Sequence, residues 1–443
     1  MKKDLFAWLF ACSLLSACSD KSETPVLHVS SNEFTWDATV REQVLTVATP
    51  TKWVARSNVN WCKPMKVSGE TGTEVRLWVS PNLTKEARSG TLTISSGGQV
   101  KVVNLKQPAY TGDVDSYEYV LPVVFHVLYK DETDEKQNVR EGWLASLLER
   151  VNKLYKNNHI GVTFEMAAYD QDGVQLEEAG VMRHKVASDS FDPSDFLMGN
   201  GEAHDLVEYG QNLRRFINVY VYRFSDDAAE TGGQTLGISD MPMTTTEHRL
   251  DSLYAQPDIE NYTHMSTPWG VCINNEEIYT LTDRYYYKSD DVSVTLAHEL
   301  GHYLGLLHAF SEVGCLYDDA CSDTPISDYT AYQERIEQLM EDYSRSHSTE
   351  TLTLDLLATR DNCQEAGQTF VADNIMDYFY CYSNVLTSQQ RARIRYVLNY
   401  APMVPGPKLV DYGVGTTTRA TSEMVRRLSH CPSKPVSPVI VAP

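Results

Sequence analysis

From residue 26 to about 109 the chain alternates apolar and polar side chains in short runs. Val44-Leu45-Thr46-Val47, Val75-Arg76-Leu77-Trp78-Val79 and Thr91-Leu92-Thr93-Ile94 are among them, separated by turn formers such as Ser96-Gly97-Gly98. A period of two belongs to half-buried strands, and several at this spacing predict a small all-β sandwich. Past a linker at Pro108–Asp115 the pattern becomes a near-continuous apolar run, Tyr119 to Tyr129, as expected of a strand buried on both faces. His126 inside it reads as a satisfied core histidine. Residues 143, 144, 147, 148, 151, 154 and 155 are apolar at helical spacing, and strands are expected at Val162–Met166 and Phe216–Tyr222. Strand, helix, strand predicts an α/β sheet with a backing helix. Residues 244–270 read as a long polar surface loop, and Tyr332–Met340 carries a charged helical pattern. Thr387-Ser388-Gln389-Gln390 fits a capping box opening a helix through Tyr400. Prolines crowd residues 402–443, which predicts an extended or disordered appendage adding neither helix nor central strand.

Composition narrows the classes of partner. The 443 residues suit two or three domains, and the hydrophobic share of 42% is ordinary globular balance. With 60 acidic residues against 38 basic ones the formal charge is −22, a field that repels phosphate backbones, so no nucleic-acid partner is expected. Lys2 and Lys3 precede an apolar stretch, Leu5 to Leu15, that reads as an export signal. A bilayer-spanning helix needs about 20 residues, which this stretch lacks. It ends Leu15-Ser16-Ala17-Cys18, which resembles the bacterial lipoprotein lipobox. The resemblance implies a signal peptide at 1–17, lipidation of Cys18 and a short anchor linker at 18–25. The expectation is a lipid-anchored protein at the outer membrane or cell surface, in an oxidising compartment.

The chemistry lies in His298-Glu299-Leu300-Gly301-His302-Tyr303-Leu304-Gly305-Leu306-Leu307-His308. On a helix His298 and His302 share one face, so both imidazoles reach one ion, with Glu299 beside them able to lean over a bound water. A continued helix would carry His308 about 15 Å along the axis from His298. Zinc–nitrogen bonds are only about 2.0–2.1 Å, so the helix must end before His308, and Gly305 stands where a left-handed turn is needed. Three neutral imidazoles leave zinc an open position for water, the arrangement of a catalytic site. Glu299 is then the expected general base on the zinc-bound water and the later proton donor to the leaving amine.

This string resembles the metzincin zinc-protease signature, and Asn374-Ile375-Met376-Asp377-Tyr378 resembles the Met-turn of that clan. The resemblance implies a mixed twisted sheet with backing and active-site helices above a mostly irregular lower subdomain, across residues 117–401. It places Met376 beneath the imidazoles as packing support, and gives Tyr378 a role in stabilising the oxyanion. Cys315, Asp323-Thr324-Pro325, Asp361-Asn362-Cys363 and Cys381 resemble the pappalysin group, from which Ile326–Ala358 departs by an insertion. The cluster Cys315, Cys321, Cys363 and Cys381 allows three pairings. The resemblance implies Cys315–Cys363 and Cys321–Cys381, against the rival reading of a thiolate metal site. Cys62 and Cys272 read as isolated buried thiols. Calcium is a lesser expectation, from Asp318, Asp319 and Asp323, which a solvated acidic loop explains equally well.

Arg88-Ser89-Gly90-Thr91-Leu92-Thr93-Ile94, Val102 to Gln107 and Trp61-Cys62 resemble the BACON family, whose name implies carbohydrate contact. A stalk is the stronger reading of this sandwich and a glycan contact the weaker, because no exposed aromatic platform is legible. The expected function is a zinc endopeptidase acting on extracellular protein or peptide substrates. The alternative is a surface glycan-binding adhesin whose protease domain is passive or inactive. A glycosidase with paired carboxylates has no local motif in its favour.

Overall fold

The computed structural model describes residues 26–70, 73–200, 203–225, 235–262, 265–283, 288–346, 352–412 and 428–432. The leader and Cys18 lie outside them. Between His28 and Gln107 two sheets pack face to face. One runs in the order His28–Val29, Glu42–Ala48, Thr73–Val79, Cys62–Pro64. The other runs Glu33–Thr35, Gln99–Gln107, Arg88–Ser96, Trp53–Ser57, Ser68–Gly69. The alternation read in the sequence sets the inward faces: Leu45, Val47, Val75, Leu77, Leu92, Ile94, Val103 and Leu105 are fully buried around Trp53. Burying each such aliphatic chain contributes roughly 1.5–3 kcal/mol.

The outward face of the first sheet meets the second domain. Arg76 lies over the Tyr169 ring at 4.7 Å, Arg41 pairs with Glu165 at 3.1 Å, and the Arg215 guanidinium stands 5.8 Å from the Trp78 ring.

The second domain comprises β1 (Tyr119–Tyr129), α1 (Trp143–Asn157), β2 (Val162–Met166), β3 (Val181–Lys185), β4 (Ile217–Tyr222), β5 (Thr235–Asp240), β6 (Val271–Asn274), α2 (Val292–Tyr303), α3 (Tyr329–Ser346), α4 (Ser388–Tyr400) and β7 (Leu428–Pro432). The sheet is mixed, in the order β2-β1-β4-β6-β5-β7, with β3 on the second half of β1. β2, β3, β4 and β6 pair in parallel, whereas β5 is antiparallel to both β6 and β7. Helix α1 lays Leu144, Leu147, Leu148, Val151 and Tyr155 on the sheet. The Tyr155 hydroxyl donates to Ala297 O at 3.0 Å and so ties the backing helix to α2. From Leu304 to Thr387 the chain is mostly loop, carrying α3, a short helix at Leu354–Ala358 and two small ribbons.

Two expectations need correction, and two strands went unread. The 244–270 segment is more than a surface loop, because Ile259, Met265 and Trp269 are buried in the core of the second domain. The segment after Pro402 does not simply trail away: Met403 and Val404 are buried in that core, and β7 adds an edge strand on β5. Proline is compatible with both, since an edge strand needs only half of its backbone donors. Finally, β5 and β6 carry no readable strand pattern, yet all their residues are buried.

Candidate metal centre

Helix α2 begins where Asp291 caps it, its carboxylate accepting from the Ser293 N–H at 2.8 Å. The helix ends in a tight reversal. Gly305 N–H donates to His302 O at 2.8 Å, Leu306 N–H to Gly301 O at 2.9 Å, and Gly305 sits at φ +94°. A side chain there would be strained, and its Cβ would stand 2.6 Å from Val397 Cγ2 of α4. Arg393 of α4 also donates to Gly305 O at 2.5 Å, so the last helix buttresses the turn.

That turn brings His308 back to the helix. The ligating nitrogens of His298, His302 and His308 lie within 4.8 Å of one another. Each ring is aimed by its other nitrogen. His298 Nδ1–H donates to Ile375 O at 2.8 Å, His302 Nδ1–H to Leu306 O at 2.8 Å, and His308 Nδ1 faces Glu312 Oε1 at 3.2 Å. A carbonyl oxygen only accepts, so the first two rings carry their proton on Nδ1 and turn a lone pair outward on Nε2. Those two Nε2 atoms are 2.9 Å apart. Two lone pairs at that distance repel unless a cation lies against both. His308 Nε2 is buried without a hydrogen-bond partner. Burial pushes His298 down to about 3, which keeps it neutral and ligand-competent. The donor set therefore fits a zinc-type ion.

Glu299 is fully buried, and neither carboxylate oxygen has a hydrogen-bond partner. Burial pushes its carboxyl well above the usual range. It fits because Gly237 of β5 has no side chain: a Cβ there would stand 2.7 Å from Glu299 Cγ. Met376 is fully buried, and a Cβ on Gly301 would come 2.5 Å from its sulfur, which places it under the helix turn carrying the histidines. Its backbone O accepts from Ala309 N–H at 3.0 Å, pinning the segment that bears His308. The Tyr378 ring lies 4.5 Å from that of His308 and 5.5 Å from that of His298, within an aromatic cluster that includes Phe310 and Tyr329.

The expected Cys315–Cys363 disulfide is present and closes 48 residues. The other expected bond, Cys321–Cys381, is not formed. Cys381 Sγ instead donates to Asn374 O at 3.2 Å and accepts from Ser383 N–H at 3.3 Å. Cys321 and Cys381 stay as buried thiols, each pushed up to about 12 by burial. Cys62 and Cys272 are buried thiols too, as expected. The acidic group is not arranged for calcium. Asp318 accepts from Ala320 N–H at 3.0 Å, Asp319 from Cys321 N–H at 3.0 Å, and Asp323 from Gln389 N–H at 3.0 Å. Asp318 and Asp319 are thus used in local turns, and Asp323 is spent on the first turn of α4. Among the described residues the histidine trio is the one cluster with ligand spacing. Sequence reasoning missed Gly237, Arg393 and Glu312. Glu312 is four residues past His308, a readable offset, but nothing local marks the other two.

Sheet, helix and histidine cluster together form a candidate metal-binding site in the second domain. Residues 271–399 match the peptidase M43 family, described as pregnancy-associated plasma protein-A, which supports a metalloprotease. Residues 51–107 match the BACON family, described as an N-terminal binding domain. The chain is 27% identical over 178 residues to a xyloglucan-specific endo-β-1,4-glucanase of Bacteroides ovatus, spanning 39% of this chain and 32% of that enzyme. A structure of a Bacteroides ovatus GH5 xyloglucanase with a heptasaccharide aligns at 18% identity and TM-score 0.19, over 46% of this chain and 39% of that one. An NMR structure of a Bacteroides thetaiotaomicron protein aligns at 14% identity and TM-score 0.16, over 23% of this chain and all (100%) of that one. Structural overlaps this small carry no argument.

Proposed function

We propose that the chain is a zinc-dependent endopeptidase of metzincin type, with residues 117–401 as its catalytic unit. The observation that carries this reading is the convergence of three imidazole nitrogens within 4.8 Å beside a buried carboxylate that lacks any partner. His298, His302 and His308 would hold the ion. Zinc bound there supplies Lewis acidity, acidifying water and polarising the scissile carbonyl. Glu299 takes the proton of the attacking water and passes it to the leaving amine nitrogen as the peptide C–N bond breaks. The Tyr378 hydroxyl donates to the oxyanion as charge develops on the carbonyl oxygen. Gly305 and Met376 shape the site without touching substrate. The M43 match supports the same assignment.

The compartment follows from the leader: export, lipidation at Cys18, and display at the outer membrane or cell surface on protein substrates. Radiolabelled palmitate incorporation that Cys18→Ser abolishes is the expected result. The adhesin reading draws on the BACON match. Zymography on denatured protein substrates separates the two readings. Clearing that a zinc chelator abolishes and added zinc restores supports the peptidase. Glycan binding with no clearing by any zinc-loaded preparation supports the adhesin.

A further inference from the structure

A second polar site lies at the seam between the sandwich and the sheet domain. A cavity of about 260 Å³ opens there, walled by Lys63 and Arg88 from the sandwich, Arg214 and Arg215 from the segment before β4, and Lys408 and Asp411 from the segment after α4. Five cations thus face one acid, in a chain whose formal charge is −22. Their hydrogen bonds go largely to backbone carbonyls. Arg214 Nε donates to Tyr262 O at 3.0 Å, Arg215 Nη1 to Gln171 O at 2.9 Å, and Lys408 Nζ to Leu398 O at 2.7 Å. Arg88 donates to Ser80 O and to Gln107 Oε1. Arg214 Nη2 and Arg215 Nε are buried with no acceptor at all.

Burial outweighs the neighbouring acids. It pushes Arg88 down to about 10 against the pull of Asp411, Arg215 to about 10 against Asp170 and Asp172, and Lys408 to about 7. Gathering desolvated like charges costs stability, and a bound anion offsets that cost. The remaining wall is not that of a bare anion hole. It offers the half-buried Trp78 indole and the Tyr412 phenol, and the amides of Asn60 and Asn212. Flat aromatic faces accept the apolar C–H face of a sugar, amides bond its hydroxyls, and a guanidinium fork matches a carboxylate. The volume falls just under the roughly 300–1,000 Å³ of small-ligand clefts, which suits one or two sugar rings better than an extended acidic peptide.

We propose that this seam binds a carboxylate-bearing saccharide, held by both domains at once. Trp78 stacks on the ring, Lys63 and the Arg214–Arg215 pair take the carboxylate, and Asn60 and Asn212 take hydroxyls. The site is built independently of the histidine cluster, so its test needs no turnover.

The experiment is calorimetric titration of the full chain with tetragalacturonate and with a hyaluronan tetrasaccharide. Cellotetraose, tetraglutamate and inorganic phosphate serve as comparison probes. Saturable binding of one of the acidic saccharides, at least tenfold tighter than cellotetraose and tetraglutamate, is expected. Lys63→Glu and Trp78→Ala should each weaken it at least tenfold, with peptide cleavage and melting temperature retained in Lys63→Glu. Saturable binding of neither saccharide overturns the proposal. So does equal affinity for tetraglutamate or phosphate, or a folded Lys63→Glu chain that binds as before.

Discussion

Two histidine clusters sit in the same domain, each with one half-buried ring, His184 and His308, and the other rings buried. In the first, His126 Nε2–H donates to Asn218 Oδ1 at 3.0 Å and His126 Nδ1 meets His184 Nε2 at 3.1 Å. Asn218 is itself committed, its amide donating to Gln211 O and its oxygen accepting from Gln211 N–H. Every ring nitrogen of His126 therefore has a partner of the right sense, and the pair is packing. In the second, one nitrogen of each of three rings is spent on orientation while the others converge, lone pair toward lone pair. Burial and ring stacking do not tell the clusters apart. The accounting of donors and acceptors does: a satisfied histidine is structure, and a set of aimed nitrogens that converge on one point is a ligand field.

The largest test of that contrast exchanges one residue in each cluster. His302→Ala should abolish peptide hydrolysis, by at least about 10⁴-fold, and lose the metal. His126→Gln should keep turnover within about twofold while costing roughly 1–2 kcal/mol in denaturant unfolding. Equal loss of activity in both variants would erase the distinction. Removing the disulfide with Cys315→Ser and Cys363→Ser should lower stability by about 4 kcal/mol, for a loop of 48 residues. Thiol labelling should find Cys321 and Cys381 only after unfolding, and a failure to find them even then would restore the second bond.

Gly305→Ala comes next. Strain at φ +94° and the approach to Val397 should cost about 1–3 kcal/mol and weaken metal retention about tenfold, read by competition with a chelator. The smallest effect is a pH dependence. Burial holds His126 down to about 3, so the folded chain keeps it neutral while the unfolded chain protonates it below about 6.5. The unfolded state then binds more protons, so this contribution is whole above about pH 6.5 and is lost on the way down toward pH 3. Between pH 6.5 and 5 the loss is about 1.6 kcal/mol. His126→Gln should flatten that part of the slope, and an unchanged slope would put the acid sensitivity elsewhere.

What could be read from sequence follows how local each signal is. The ligand string was legible because helix pitch and one glycine determine where three histidines go. His126 was legible because a polar residue in a doubly buried strand has to be satisfied. Strand β5 was not: Thr235-Leu236-Gly237-Ile238-Ser239-Asp240 mixes polar, apolar and glycine positions, yet all are buried, because β6 and β7 pair along its edges while α2 and the short helix at Pro193–Met198 pack on its faces. Gly237 reads as a breaker in isolation and is, in the fold, the space that Glu299 occupies. The Cys321–Cys381 pairing, implied by resemblance alone, is absent because Cys381 Sγ is turned to Asn374 O and Ser383 N–H. The seam was equally hidden, since Lys63, Arg215 and Lys408 are far apart along the chain and meet only when the sandwich docks.

Metal analysis of purified protein by plasma mass spectrometry tests the central claim most directly. One zinc per chain is expected in the wild type and in Glu299→Gln, with none in His302→Ala. A folded wild-type chain that binds no transition metal even after incubation with zinc, or a His302→Ala chain that retains its ion, would contradict the account.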